Sequence, residues 1–263
     1  MRSSALLLSA VGLWAGCDRA AFAEVIETTR HELKVNGTPR LVVRSDAGSV
    51  DVQAGASGAV KVEARRRAGS RDEALALAVS VEQQGGVVTV TFHGDGRSNR
   101  SVAFTIEAPP DCKVDVETEG GAVRVDGFSG GARARTSGGS VRASHLSGAI
   151  TLHTDGGSIG VTDVDGTVDA TTDGGSITLS GRLRGANVLK TEGGSISASL
   201  PADSHLHVEG ATEGGSARND FNLPVERPTT RDGSAKFRGT IGSGAHGSLT
   251  MATEGGSVAL RKL

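Results

Sequence analysis

One short phrase returns seven times along the chain, and no other feature restricts the fold so strongly. It reads Thr, an acidic residue, Gly-Gly, a small residue and usually Val or Ile, with Ser137 standing once in the acidic place. The Gly-Gly pairs begin at Gly120, Gly138, Gly156, Gly174, Gly193, Gly214 and Gly255, at intervals of 18, 18, 18, 19, 21 and 41 residues. Each unit divides again at a nine-residue beat, as Gly139-Ser140-Val141, Gly148-Ala149-Ile150 and Gly157-Ser158-Ile159 show. A fixed period of this length is the signature of a repeat architecture.

Between the turns, apolar and polar residues alternate, with Ile150/Leu152, Ile159/Val161, Val168/Ala170 and Ile177/Leu179 sharing one parity. A period of two over such short runs is a strand with one buried face. The expected fold is therefore all-β: a β-solenoid with two short strands and two Gly turns per coil of 18 residues. Successive coils would stack their strands ~4.8 Å apart. Glycine is expected at the turns because it reaches positive φ without steric cost. The Thr before each pair shares the inward parity, which places its hydroxyl beside turn backbone. One coil cannot bury its own apolar face, so neighbours are obligatory.

The preceding stretch follows the theme less regularly. Leu41–Arg44, Ser49–Val52, Ala59–Ala64 and Ser101–Glu107 read as strands, and Val79–Glu82 with Val87–Phe92 as a hairpin through Gly85-Gly86. Ser70-Arg71-Asp72-Glu73 is a capping box, predicting one short helix near the N-terminal part. The expected organisation is a signal segment over 1–23, a strand-rich part over 24–110, and the regular solenoid over 111–263. A loop insertion interrupts the last of these at about 219–234.

Met1–Ala23 reads as an export signal: Arg2, the apolar run Ala5–Trp14, then small residues. The run is too short to span a bilayer, which takes ~20 residues. Two processing routes stay open. Ala21-Phe22-Ala23 is an A-x-A site, with cleavage between Ala23 and Glu24. Trp14-Ala15-Gly16-Cys17 resembles a lipoprotein box in which Cys17 is lipidated, although Trp14 sits where Leu is usual. Either route leaves the chain exported, to the periplasm, the cell surface or the medium, or held on a membrane only through a lipid at Cys17.

The net charge of −2 gives no reason to bind nucleic acid, which calls for a clustered basic surface. Aromatic residues are 3% of the chain, with no Tyr, so stacking platforms for single strands are missing too. Beyond the signal only Cys112 remains, which rules out a disulfide framework within one mature chain and suits a small buried hydrophobe.

The repeated phrase, the stretch Phe237-Arg238-Gly239-Thr240-Ile241-Gly242 and the strand Val102–Pro109 resemble the DUF4097 adhesin-like family, over roughly Leu41 to Leu263. The resemblance implies an exported bacterial β-strand-repeat protein and carries no catalytic residues onto this chain.

Several clusters are candidates for chemistry. Glu119, Asp155, Asp173, Glu192, Glu213 and Glu254 share one repeat position, where stacked carboxylates either fan into solvent or share a divalent cation. His205 and His207 share one strand face at a chelating spacing. Arg65-Arg66-Arg67, following a strand, suits a solvated edge. Arg124, Arg133, Arg135 and Arg142 on early coils, with Asp163, Asp165 and Asp169 on later ones, suggest a dipolar stripe. None forms a recognised ligand set, so no metal, cofactor or catalytic residue is assigned.

Known enzymatic solenoids fit poorly. Left-handed acyltransferase helices have a shorter aliphatic period than the nine-residue beat, and polysaccharide-cleaving helices need a groove of clustered acids or bases. No G-x-S-x-G turn is present, and the Gly-Gly-Ser runs lead into strands rather than into a phosphate-binding helix. The expected function is a non-catalytic cell-envelope or surface protein with an adhesin-like binding or structural role, its envelope partner unknown. The rival is a glycan-processing enzyme with its site at the loop that carries Asp220, Glu226, Arg227, Arg231 and Asp232.

Overall fold

The computed structural model describes residues 24–94, 99–226 and 233–263. Cys17 and Ala23, on which the two processing routes turn, lie outside the described residues. The fold is all-β with one short helix. The strands are β1 (Val25–Lys34), β2 (Arg40–Ser45), β3 (Val50–Ala54), β4 (Ala59–Ala68), β5 (Val79–Gln84), β6 (Val87–Phe92) and β7 (Ser101–Ala108). Next come β8 (Lys113–Thr118), β9 (Val123–Asp126), β10 (Ala132–Thr136), β11 (Val141–Ser144), β12 (Ser147–Thr154), β13 (Ile159–Thr172), β14 (Ile177–Leu183), β15 (Gly185–Thr191) and β16 (Ile196–Leu200). The last are β17 (Leu206–Thr212), β18 (Ala217–Asn219), β19 (Val225–Glu226), β20 (Ala235–Ile241), β21 (Gly247–Thr253) and β22 (Val258–Lys262). Helix α1 (Arg71–Ala76) starts where the capping box predicts, with the Ser70 hydroxyl accepting the Glu73 N–H at 3.3 Å.

All strands belong to one hydrogen-bonded sheet, organised as two ladders. The first ladder runs β5, β6, β2, β8, β10, β12, the second half of β13, β15, β21, β17, β20 and β19. The second runs β1, β4, β7, β3, β9, β11, the first half of β13, β14, β16, β22 and β18. In the regular stretch each strand lies parallel to the strand one layer on, two elements later except around β13, which serves both ladders. Val114, Ala132, Ile150 and Val168 are successive partners, 18 residues apart. One strand from each ladder makes a layer, and the inward residues of both ladders join a single buried cluster. Ile159, Val161, Ile177 and Leu179 are all buried and stacked as Ile159 on Ile177 and Val161 on Leu179.

The layers do not follow chain order at either end, although the sequence suggests simple succession. The final layer, β21 with β22, is inserted between the β15–β16 layer and the β17–β18 layer. This explains the 41-residue interval before Gly255: the chain builds the outer layer and the β20 cap first, then returns to fill the gap. At the other end β2 and β3 sit between β6–β7 and β8–β9. The reason is visible in the turns, because Ser45-Asp46-Ala47-Gly48-Ser49-Val50 is a worn copy of the repeated phrase. Ser45 pairs with Thr118 and Val50 with Val123.

The role of the Gly-Gly pairs also differs from expectation. None of these paired glycines has a positive φ. The second of each pair is there for close approach: a Cβ on Gly139, Gly157, Gly175 or Gly194 would lie about 2 Å from the carbonyl oxygen of the corresponding glycine one layer away. Positive φ is used at the other corner instead, at Gly127, His145, Asp163 and Gly181 in successive layers.

Candidate functional site

The seven repeated turns stack into a column, and their polar groups are bonded from layer to layer. Thr136, Thr154, Thr172, Thr191 and Thr253 are buried, and their hydroxyls donate at 2.7–2.8 Å to Gly121, Gly139, Gly157, Gly175 and Gly194 of the layer below. Each also accepts the N–H of the second glycine in its own turn, at 3.1–3.3 Å. Outside this runs a serine ladder, visible in the repeat as a residue pattern but not as a bonding scheme. The hydroxyls of Ser158, Ser176, Ser195 and Ser257 accept the backbone N–H of Ser176, Ser195, Ser257 and Ser216, at 3.0–3.3 Å.

The acidic row lies at the tips of these turns. Its backbone is tied across layers, as where Gly174 N–H donates to Asp155 O at 3.0 Å and Gly193 N–H to Asp173 O at 2.9 Å. The side chains are exposed, apart from half-buried Asp155, which His153 contacts at 2.9 Å. That hydrogen bond holds the Asp155 carboxyl below its usual range. Among the described residues no three His, Cys, Asp or Glu side chains are placed to hold one metal ion.

The remaining candidates are dispersed. His205 Nδ1 meets the Ser243 carbonyl at 2.7 Å and His207 Nδ1 meets the Thr240 hydroxyl at 2.8 Å, so each histidine has its own partner in or just after β20. Cys112 is fully buried, and burial pushes its thiol up to about 11, which leaves it a poor nucleophile. The three consecutive arginines lie within β4, an interior strand between β1 and β7, not on an edge. Arg66 points inward and satisfies the Leu77 carbonyl at 2.7 Å and Thr29 at 2.9 Å, while Arg67 turns out to Glu24. Arg65 and Arg67 border a groove of about 770 Å³ with Arg100, Asp46 and Glu119. Its charges are mixed, and Arg100 is engaged by Glu73 at 2.5 Å.

The dipolar stripe is not one surface. Arg133 and Arg135 point outward from the first ladder, Arg124 and Arg142 from the second. Asp165 pairs with Arg184 at 2.8 Å. Asp163 flanks a corner cluster that the sequence did not announce. His145 Nδ1 is 2.8 Å from Asp126 and its Nε2 is 3.6 Å from Asp163, while Ser144 and Arg124 also reach Asp126 at 2.8 and 3.4 Å. The hydrogen bond and charge of Asp126 raise the His145 pKa. In the loop with the rival catalytic residues, Glu226 forms an ion pair with Lys236 at 3.0 Å, and 227–232 lie outside the described residues.

No family model matches the chain, the DUF4097 model included, and no curated protein does either. Solved structures do. A "putative adhesin" from Bacteroides fragilis NCTC 9343 is 13% identical, over 90% of this chain and 97% of that one, with a TM-score of 0.41. A "putative cell adhesion protein" from Clostridium sporogenes ATCC 15579 is 11% identical, over 90% and 100%, with a TM-score of 0.35. A "putative lipid binding protein" from Parabacteroides distasonis ATCC 8503 is 12% identical, over 90% and 96%, with a TM-score of 0.34. No helix among the described residues is long and apolar enough to cross a membrane.

Proposed function

We propose that the layers are the coils of a β-solenoid and that the protein is an exported, non-catalytic component of the cell envelope or surface. Its role is to present a rigid stacked-strand surface for binding. The observation that supports this reading is where the repeated polar groups go. The Thr and Ser hydroxyls at the turns, which would be the natural nucleophile candidates, are bonded to backbone one coil away. The buried threonine hydroxyls, which both donate and accept, are wholly committed to joining coils, and the serine hydroxyls outside them accept a backbone N–H of the next coil.

The test combines localisation with pull-down from the source envelope, using the wild-type chain and Cys17→Ala. Recovery of the wild-type chain with envelope material supports the reading, and loss of membrane retention in Cys17→Ala assigns the lipid route. Turnover of a cell-wall or capsular polysaccharide, abolished by Glu226→Gln or Asp232→Asn, would overturn it in favour of a glycan-processing enzyme.

A further inference from the structure

Two exposed histidines stand side by side where β17 and β21 begin. The parallel register pairs His207 with Ser248, and two residues earlier on each strand the same alignment sets His205 against His246. Their backbones are joined there, the His246 N–H donating to the His205 carbonyl at 3.1 Å. Both side chains face solvent, and their ring centres are 6.5 Å apart with the planes tilted by 48°.

The turn after β20 is shaped around the first of these rings. Gly242 and Gly244 both take positive φ there. A Cβ on Gly242 would stand 2.6 Å from His205 Nδ1 and 2.5 Å from the Ser204 carbonyl oxygen, so glycine is what lets the loop lie against the imidazole. The next residue, Ser243, then meets Nδ1 with its carbonyl oxygen at 2.7 Å. A carbonyl only accepts, so Nδ1 carries a proton and the lone pair of the neutral ring is on Nε2. A metal-ligating histidine is oriented in this manner, its other nitrogen donating to a backbone carbonyl. His246 is the adaptable half of the pair, since its ring makes no hydrogen bond among the described residues.

We propose that His205, through Nε2, and His246 together bind one divalent transition-metal ion of the kind that favours imidazole, Zn²⁺ or Cu²⁺; this is independent of the surface role proposed above. On a tetrahedral ion with bonds of about 2 Å, two imidazole centres stand roughly 5 Å apart. The observed 6.5 Å closes to that value with a shift of about 1 Å in the His246 ring, which one side-chain torsion supplies. The remaining coordination positions fall to water or to a donor group of another molecule. His207 lies on the same face, but its Nδ1 meets the Thr240 hydroxyl at 2.8 Å, and no third ligand converges among the described residues. Local charge does not oppose a cation either. Arg184, beside His246 through the Gly185–Gly247 pair, is turned to Asp165 at 2.8 Å.

The test is calorimetric titration of the mature chain, without a histidine tag, with Zn²⁺ and separately with Cu²⁺, using Mg²⁺ as control. One ion per chain is expected for each of the first two, Cu²⁺ the more tightly, and none for Mg²⁺, which prefers oxygen ligands. His205→Ala and His246→Ala should each weaken binding by about tenfold or more, since losing even an outer partner of a ligand costs that much. Both rings are exposed, so both variants should keep the wild-type circular dichroism. His207→Ala and His145→Asn should bind as wild type. NMR of the metal-free chain should show His205 as the Nδ1–H tautomer. The proposal is overturned by no uptake of either ion, by an unaffected His246→Ala, or by an Nε2–H tautomer at His205. A loss in His207→Ala or His145→Asn equal to that in His246→Ala overturns it as well, because the ion then sits on other histidines.

Discussion

The Thr172 hydroxyl donates to the Gly157 carbonyl of the layer below at 2.7 Å and accepts the Gly175 N–H of its own turn at 3.3 Å. One side chain thus closes a turn and joins two layers, inside the core. Thr172→Val keeps the shape and removes both bonds, leaving a buried carbonyl unsatisfied. The expected loss is about 1–3 kcal/mol in denaturant unfolding. An unchanged midpoint would show that the hydroxyl ladder holds nothing together.

Two glycine substitutions should separate close approach from solvent-facing space. A Cβ on Gly175 would stand 1.9 Å from the Gly157 oxygen, so Gly175→Ala must push layers apart and should cost about 3 kcal/mol or more. Gly160→Ala meets no atom and should be neutral or stabilising. Calorimetry on both variants decides the matter, and similar losses in the two would refute the contrast.

Asn187 is the buried exception in a column of aliphatics. Its amide donates to the carbonyls of Arg184, Gly185 and Ser248 and accepts the Val168 N–H at 2.8 Å. These are groups left over where the 18-residue offset of Ile150 and Val168 becomes 19 between Asp169 and Val188. Asn187→Leu should lose about 3 kcal/mol or more, several buried backbone groups going unpaired at once. If Asn187→Leu melts with the wild type, water or a shift in register is meeting those groups instead.

Much of this was open to reading in the sequence, and the rest was hidden for physical reasons. Alternation over Ile159, Val161, Ile177 and Leu179 marks the buried face because a strand has a period of two, and the capping box at Ser70 marks α1. Layer order was not legible. The repeated layers present the same turn phrase, so the copy at Gly255 fits between Gly193 and Gly214 as well as beyond them. The reason for the paired glycines is not legible in the sequence because close approach depends on the neighbouring layer, whereas φ is a local property.

His145 should titrate above an ordinary histidine, because the Asp126 hydrogen bond and charge favour its protonated form. Asp126 is in turn held below the usual carboxylate range, first by that same hydrogen bond. Because the folded pKa of His145 is raised, the pair supports the corner below that pKa and releases it as pH rises through it. On the acid side the contribution fades as pH falls through the lowered pKa of Asp126. NMR titration of the imidazole should show the upward shift in the wild type and its loss in Asp126→Asn. An identical titration in both would mean that the contact does not persist in solution.

The insertion of β21–β22 inverts what chain position implies about local stability. Terminal repeats of a stack normally fray, since each is held from one side only. Here the β21–β22 layer is paired on both sides, to β15–β16 and to β17–β18. Just beyond it, the Leu263 N–H donates to the Leu200 carbonyl at 2.9 Å. Opening this layer bares strand edges on both sides together, so its amides should exchange only through unfolding as costly as that of the central layers. In native-state hydrogen exchange, Met251 and Leu260 should therefore be protected like Leu152 and Leu179, while Val225 in the short β19 exchanges early. Rapid exchange over 247–263 would show that the β21–β22 layer lies at an end of the stack and that the interleaved order is wrong.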